Sequence, residues 1–319
     1  MVQTKIEWCD YTYNPWRGCS KVSPGCANCY ADAMSKRNPG TLGVWGPDGT
    51  RVVAAESYWQ LPLKWNRVAA GAAIRPRVFC ASLADVFEDW CGDIHDHRGN
   101  RLWIDRATGT NWQAESLDCS FACDELARLD DVRRRLFSLI EATQNLDWLL
   151  LTKRPENIQR MLPGLHRRDN LWAGCSVENQ ETTKRIDKLV NCRDLAALLF
   201  LSCEPLLSAV DLLPFFGGPY VELPRDVVHE NYNFGIDWVI VGGESGPNAR
   251  PCDVEWIRFI VKQCREAGVP CFVKQLGSHP IENGKPIKLR DRKGGNPDEW
   301  PDDLRVREFP KQEAIANND

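Results

Sequence analysis

Three cysteines near the start of the chain stand in the pattern Cys19-x6-Cys26-x2-Cys29. Gly18, Pro24 and Gly25 shape this segment into a loop. From Ala27 onward it can turn into a helix through Ala31, Ala33 and Met34. The thiolate is the metal-binding form of cysteine, and three thiolates on one short loop suit a soft metal. An iron–sulfur cluster ordinarily takes four cysteine ligands, so three would leave one iron open to a small molecule. Zinc is the alternative, and it needs a fourth ligand. Cys91, His95, His97, Cys119 and Cys123 are the candidates for that position. A buried trio without metal is the third reading.

A second set of chemical groups stands at the ends of short apolar runs. Runs at 77–81, 148–152, 171–175, 198–202, 238–241 and 271–273 are followed by Asp85, by Lys153 and Arg154, by Ser176 and Glu178, by Glu204, by Gly242, Gly243 and Glu244, and by Lys274. Continuous apolar runs of this length fit strands covered on both faces. Helical patterns lie between them. Val132, Leu136, Leu139 and Ile140 share one face. Val254, Ile257, Val261 and Cys264 share another, with Asp253 as a cap before it and Gly268 as a stop after it.

Strand–helix alternation repeated about six times predicts an α/β fold with a parallel sheet. A partial or full (βα) barrel and a doubly wound sheet both satisfy it, and in either the strand-end residues converge. The expected organisation is a barrel domain over 1–278, with long insertions at 89–128 and 208–235, and a charged C-terminal tail over 279–319. Cys80, Cys175, Cys203 and Cys271 read as core. His95 and His97, with Cys91, form a weaker zinc candidate.

Composition narrows the classes further. The chain has 319 residues, 43% hydrophobic and 26% charged, with a net charge of −4. A mainly disordered chain and a coiled coil are excluded on composition. No apolar stretch approaches the roughly 20 residues of a membrane helix, and the first residues lack a signal-peptide core. A cytoplasmic protein without a membrane partner is expected, with its 14 cysteines reduced. A whole-protein basic field for nucleic acid is absent. Lys285, Lys288, Arg290, Arg292 and Lys293 do form a basic run, followed by Asp298, Glu299, Asp302 and Asp303. The plainest reading is a self-compensating solvated tail; the alternative is a nucleic-acid contact. No HxH or HExxH ligand set lies at a strand end, which disfavours a metal-dependent hydrolase.

The chain resembles the three-Cys-motif family of phage and prophage proteins, an uncharacterised, radical-SAM-like family. The likeness rests on residues 14–19 and 24–30 of the cysteine loop, on 151–156, 174–178 and 242–246, and on 298–301. It implies a partial barrel of radical-SAM type with a [4Fe–4S] cluster on Cys19, Cys26 and Cys29. S-adenosylmethionine (SAM) would chelate the open iron and be cleaved to a 5′-deoxyadenosyl radical. Asp85, Ser176 and Glu178 would receive its ammonium or ribose, and Gly242, Gly243 and Glu244 would lie against it. Lys153, Arg154 and Lys274 would meet a carboxylate or phosphate, and Glu204 would be an acid/base. The implied substrate is a nucleotide, a nucleic acid or another small molecule. An external electron donor is required, and a partner protein is one further reading. A non-catalytic Fe–S or zinc protein binding nucleic acid or a partner is the competing expectation. The first spacing, six residues, is longer than the usual three of radical-SAM loops. Asn28 stands where an aromatic residue usually precedes the last cysteine, with Tyr30 just after. Residues 81–85 occupy the place of the usual glycine-rich motif.

Overall fold

The computed structural model describes residues 4–105, 112–114, 124–217 and 235–311. All six apolar runs form strands, and a seventh, unanticipated strand precedes them. In chain order these are β1 (Tyr11–Tyr13), β2 (Arg77–Cys80), β3 (Asp147–Thr152), β4 (Arg168–Ser176), β5 (Ala196–Cys203), β6 (Trp238–Gly242) and β7 (Cys271–Gln275). They make one sheet whose spatial order equals chain order, with every neighbouring pair parallel. A doubly wound sheet reverses its strand order partway; this one does not.

The sheet curls. Trp8 packs 4.5 Å from Phe79 on β2 and 6.3 Å from Trp238 on β6. One side chain reaches the second and sixth strands only if the sheet bends around it. The result is a half-barrel, unpaired between β1 and β7. Side chains alternate between its faces. Phe79, Leu149, Trp172, Leu198, Phe200, Ile240 and Phe272 line the concave side, with Trp8 and Cys9 inserted among them. Gly174 is required on that floor, because a Cβ there would lie 2.5 Å from the Phe200 ring.

The convex side carries the larger core. There α1 (Leu129–Glu141) and α2 (Val254–Ala267) bury the apolar faces expected for them. The Asp253 side chain accepts from Glu255 N at 3.0 Å, and Gly268 ends the helix with φ 70°. Cys80, Cys175, Cys203 and Cys271 are buried core residues, and burial raises the first three thiols well above their usual range.

Two regions take shape only in the fold. The region 89–128 contains short strands Ile94–His95, Leu102–Asp105, Trp112–Ala114 and Asp124–Leu126, the last three in one antiparallel sheet. Strands of two to four residues are too short to show a period. Of the second insertion, residues 218–234 lie outside the described residues. Over the described residues 279–311 the charged segment is folded onto the rest of the chain. Pro280–Glu282 pairs with Cys252–Asp253 and with Lys285–Pro286. Trp300 and Leu304 are buried, and the Trp238 Nε1–H donates to Glu308 O at 3.0 Å. A few apolar anchors among the charges suffice to fold the segment onto the sheet. Among the described residues no helix is long and apolar enough to cross a membrane.

Candidate functional site at the C-terminal rim

The cysteine loop leaves β1 and lies across the C-terminal ends of the other strands. Its first part is fixed by backbone and buried charge. Gly18 N donates to Leu83 O at 3.0 Å, and Ser20 N donates to Glu88 Oε1 at 2.8 Å. Glu88 forms a two-pronged pair with Arg51 at 2.7 and 2.8 Å, and both side chains are buried. Gly18 has φ 115°, and a Cβ there would strike Thr50 O at 2.5 Å; only glycine makes that approach. The Asn14 side chain holds the entry, accepting from Leu83 N at 2.8 Å.

The middle of the loop rests on β4. Ser23 Oγ donates to Glu178 Oε1 at 2.8 Å. Gly25 sits so close to Glu178 that a Cβ would meet its Oε1 at 2.5 Å. The loop then reaches β6. Asn28 Nδ2 donates to Glu244 Oε2 at 3.0 Å and to Asn248 O at 2.7 Å, and Arg250 donates to Pro24 O at 3.0 Å. Tyr30 Oη donates to Ser82 O at 2.7 Å.

The strand-end residues singled out in the sequence do gather at this rim. Most meet the loop or each other. Asp85 accepts from Thr152 Oγ1, Lys153 N and Arg154 Nη1 at 2.7, 3.1 and 2.8 Å. Arg154 Nη2 donates to Ser20 O at 2.9 Å, and its Nη1 lies 3.7 Å from Cys19 Sγ. Glu178 is wholly buried between Ser23, Lys153 and Arg185, the last at 2.7 Å. Burial would raise the Glu244 carboxyl, but hydrogen bonds from Arg250 and Asn28 overcome that and hold it below the usual range. Gly242 and Gly243 are close-packed against their own chain: a Cβ on Gly243 would lie 2.2 Å from Leu276 O.

The remaining members face the interior. Alternation from the apolar floor puts Ser176, Ser202 and Lys274 one step higher on the concave side. Lys153 Nζ donates to Ser176 Oγ at 3.0 Å. Lys274 Nζ contacts both oxygens of Glu204 at 2.7 and 2.8 Å. The side chains of Lys153, Glu204 and Lys274 stay 22%, 18% and 22% exposed, whereas Ser176 and Ser202 are buried.

The thiols carry their own chemistry. Cys19, Cys26 and Cys29 are free and half-buried. Burial pushes the Cys19 thiol up to about 12, Asp85 and Glu88 adding to the rise and Arg154 opposing it. A metal taking that sulfur must displace its proton. Ser23 Oγ lies 3.7 Å from Cys26 Sγ, and hydrogen bonds to sulfur are a usual means of tuning cluster ligands. Among the described residues, no three His, Cys, Asp or Glu side chains are drawn tightly enough to hold one metal ion. Cys91 is exposed, and Cys119 and Cys123 lie outside the described residues.

Several residues that build the rim carried no sequence signal. Arg51, Glu88, Arg185 and Arg250 lie in segments without motif, and their partners are 37, 7 or 6 residues away or more. Ser23 was visible only as a loop residue, and Asn28 only as a departure from the usual aromatic before the last cysteine.

A parallel half-barrel with a three-cysteine loop across its C-terminal rim is an α/β partial barrel with its site where barrels place theirs. The chain belongs to the DUF5131 family, described as a protein of unknown function; the family model matches residues 3–113 and 123–307. No curated protein and no solved structure matches it.

Proposed function

We propose that the protein is a radical-SAM-like iron–sulfur enzyme acting on a nucleotide or nucleic acid. The observation that carries this reading is the cysteine loop pinned beside a partly exposed layer of polar side chains at the strand ends. Cys19, Cys26 and Cys29 would hold the [4Fe–4S] cluster. When bound, cluster and S-adenosylmethionine supply one-electron reductive cleavage of the sulfonium; the protein positions them and excludes water.

The chain's own residues divide the remaining work. Arg154 sets a positive charge beside the Cys19 sulfur and ties Ser20 to Asp85. Asn28, Glu244 and Arg250 hold the far end of the loop against β6. Lys153 and Lys274 offer cations to a carboxylate or phosphate. Glu204 can take or return a proton at the mouth.

A second reading is a non-catalytic Fe–S protein. It is favoured by one observation: Asp85, Glu178 and Glu244 already have internal cationic partners. Anaerobic purification separates the two. Iron and sulfide in the protein, with 5′-deoxyadenosine formed on reduction in the presence of S-adenosylmethionine, supports the enzyme. A cluster without cleavage leaves the second reading, and no iron after reconstitution overturns both. Cys26→Ala is expected to abolish iron binding and Cys264→Ala to leave it intact.

A further inference from the structure

The acidic residues after the basic run stand as if to neutralise it, yet the fold directs most of them elsewhere. Asp303 pairs with Arg258 at 2.6 Å and Asp302 with Arg305 at 3.0 Å. Glu299 accepts from the backbone N–H groups of Arg290 and Asp291 and from the Asn296 side chain, with the Arg290 Nε at 3.7 Å. Asp291 folds back onto the N–H groups of Lys293 and Gly295. Glu282 pairs with Arg258. Asp298 is exposed and makes no ion pair among the described residues. Lys285, Lys288, Arg292 and Lys293 are all exposed, and among the described residues they have no ion pair. Four unneutralised cations in one segment, on a chain of net charge −4, form a local field.

This segment borders the rim. Ser278 Oγ donates to Arg292 O at 2.7 Å and accepts from Gly246 N at 3.0 Å. Ser278 N donates to Glu244 O at 2.8 Å, so the basic run is tied to the loop that Asn28 grips. Between them lies a groove of about 400 Å³, lined by Ala249, Pro251, His279, Pro280, Pro286 and Ile287. One of its lining residues, Ala249, follows Asn248, whose carbonyl accepts from Asn28 at 2.7 Å. Lys285 and Lys288 bracket Pro286 and Ile287 in the chain. His279 Nδ1 is held 2.7 Å from Ala249 O, which orients the ring.

We propose that this basic rim and groove bind single-stranded nucleic acid and lead it toward the cysteine loop. The side chains of Lys285, Lys288, Arg292 and Lys293 meet phosphates. The His279 imidazole offers an unstacked base a ring face to stack on, and Pro286 and Ile287 offer it apolar contact; a stacking platform beside a cationic track is the combination by which single strands are held. A duplex would have to give up a stacked base to use the groove. The inference deepens the proposed function by naming its substrate class, but the binding site stands on its own geometry.

Fluorescence anisotropy on the anaerobically purified protein tests it. The probes are a 12-nucleotide mixed-sequence single strand, as DNA and as RNA, the matching duplex, and polyglutamate. Single strands are expected to bind best. Four phosphate contacts at about 0.7 each give a slope near −3 for log K against log salt. K285A/K288A/R292A/K293A should weaken single-strand binding at least tenfold and flatten that slope, with an unchanged circular dichroism spectrum. Ile287→Asn, which adds no charge between Lys285 and Lys288, should weaken single-strand binding while sparing any residual duplex binding. Undiminished affinity in the quadruple variant overturns the site. Duplex binding as tight as single strand, or preference for polyglutamate, overturns the class of ligand. Iron content and 5′-deoxyadenosine formation are read on the same samples. A protein without iron that binds through these side chains refutes only the enzyme, and one that cleaves S-adenosylmethionine but ignores the oligonucleotides refutes only this site.

Discussion

The amide of Asn28 donates to the carboxylate of Glu244 at 3.0 Å, joining residues 216 positions apart. It fastens the cysteine loop, which begins after the first strand, to the loop after the sixth. The same carboxylate accepts from Arg250, which also reaches Pro24 O. One carboxyl group thereby closes the loop over the rim.

Removing that contact should loosen the loop more than the fold. Asn28→Ala leaves Glu244 its arginine partner, so the expected stability cost is about 1.5 kcal/mol, the low end of the range for hydrogen bonds to charged groups. Iron retained after reconstitution and gel filtration should fall more steeply than the melting temperature. Equal iron retention in the variant and the parent would count against a holding action by Asn28.

The latch should also respond to acid. The Glu244 carboxyl is held below the usual glutamate value of 4.5 in the folded state. A depressed acid contributes stability that is fully present above its unfolded value and is lost as pH falls through the folded one. Glu244→Gln should therefore be less stable than the parent at neutral pH, and the gap should close below about pH 4. Denaturant midpoints measured across that window decide it; a gap that persists unchanged into acid contradicts the assignment.

Two glycines provide a paired test of close approach. Gly25→Ala would push a Cβ to 2.5 Å from buried Glu178, whereas Gly40 has nothing within 4 Å of its Cβ position. Gly25→Ala should cost about 1–3 kcal/mol, the range for overpacking. Gly40→Ala should be neutral or stabilising by up to about 1 kcal/mol through the unfolded chain. Urea unfolding of both variants should rank them in this order, and similar midpoints would mean the loop is not seated on Glu178.

The Arg51–Glu88 pair is the fixed foundation of the first half of the loop. Both side chains are almost wholly buried; deleting Glu88 leaves the Arg51 guanidinium without a carboxylate partner, and deleting Arg51 leaves Glu88 only the longer contact with Arg154 Nη2 at 3.4 Å. Glu88→Ala or Arg51→Ala should cost about 3–5 kcal/mol. Replacing both should cost less than the sum of the two. A double-mutant cycle on unfolding free energy measures this, and additive costs would show that the pair is not coupled.

Much of this protein was already written in local pattern. Apolar runs of four to six residues specify strands and amphipathic spacing specifies helices, because both depend on neighbours in the chain. That information was enough for a parallel α/β sheet, for six of its seven strands, and for a cysteine loop ahead of them. The three-residue β1, Tyr11–Tyr13, was too short to register a period. The convergence of Asp85, Glu178 and Glu244 followed from their place after strands.

Their partners did not. Whether Asp85 faces a ligand or Arg154, and whether Glu244 faces a cofactor or Asn28, depends on how loops from different strands pack across the rim. Those pairings span 69 and 216 residues. The same holds for the basic run at 285–293, which sequence neighbours seemed to neutralise until the fold turned Asp302 and Asp303 toward Arg305 and Arg258. Charge adjacency in a chain is not adjacency in space. Backbone pattern is a local property, whereas the pairing of a buried charge is decided by whichever opposite charge the completed fold brings within about 4 Å.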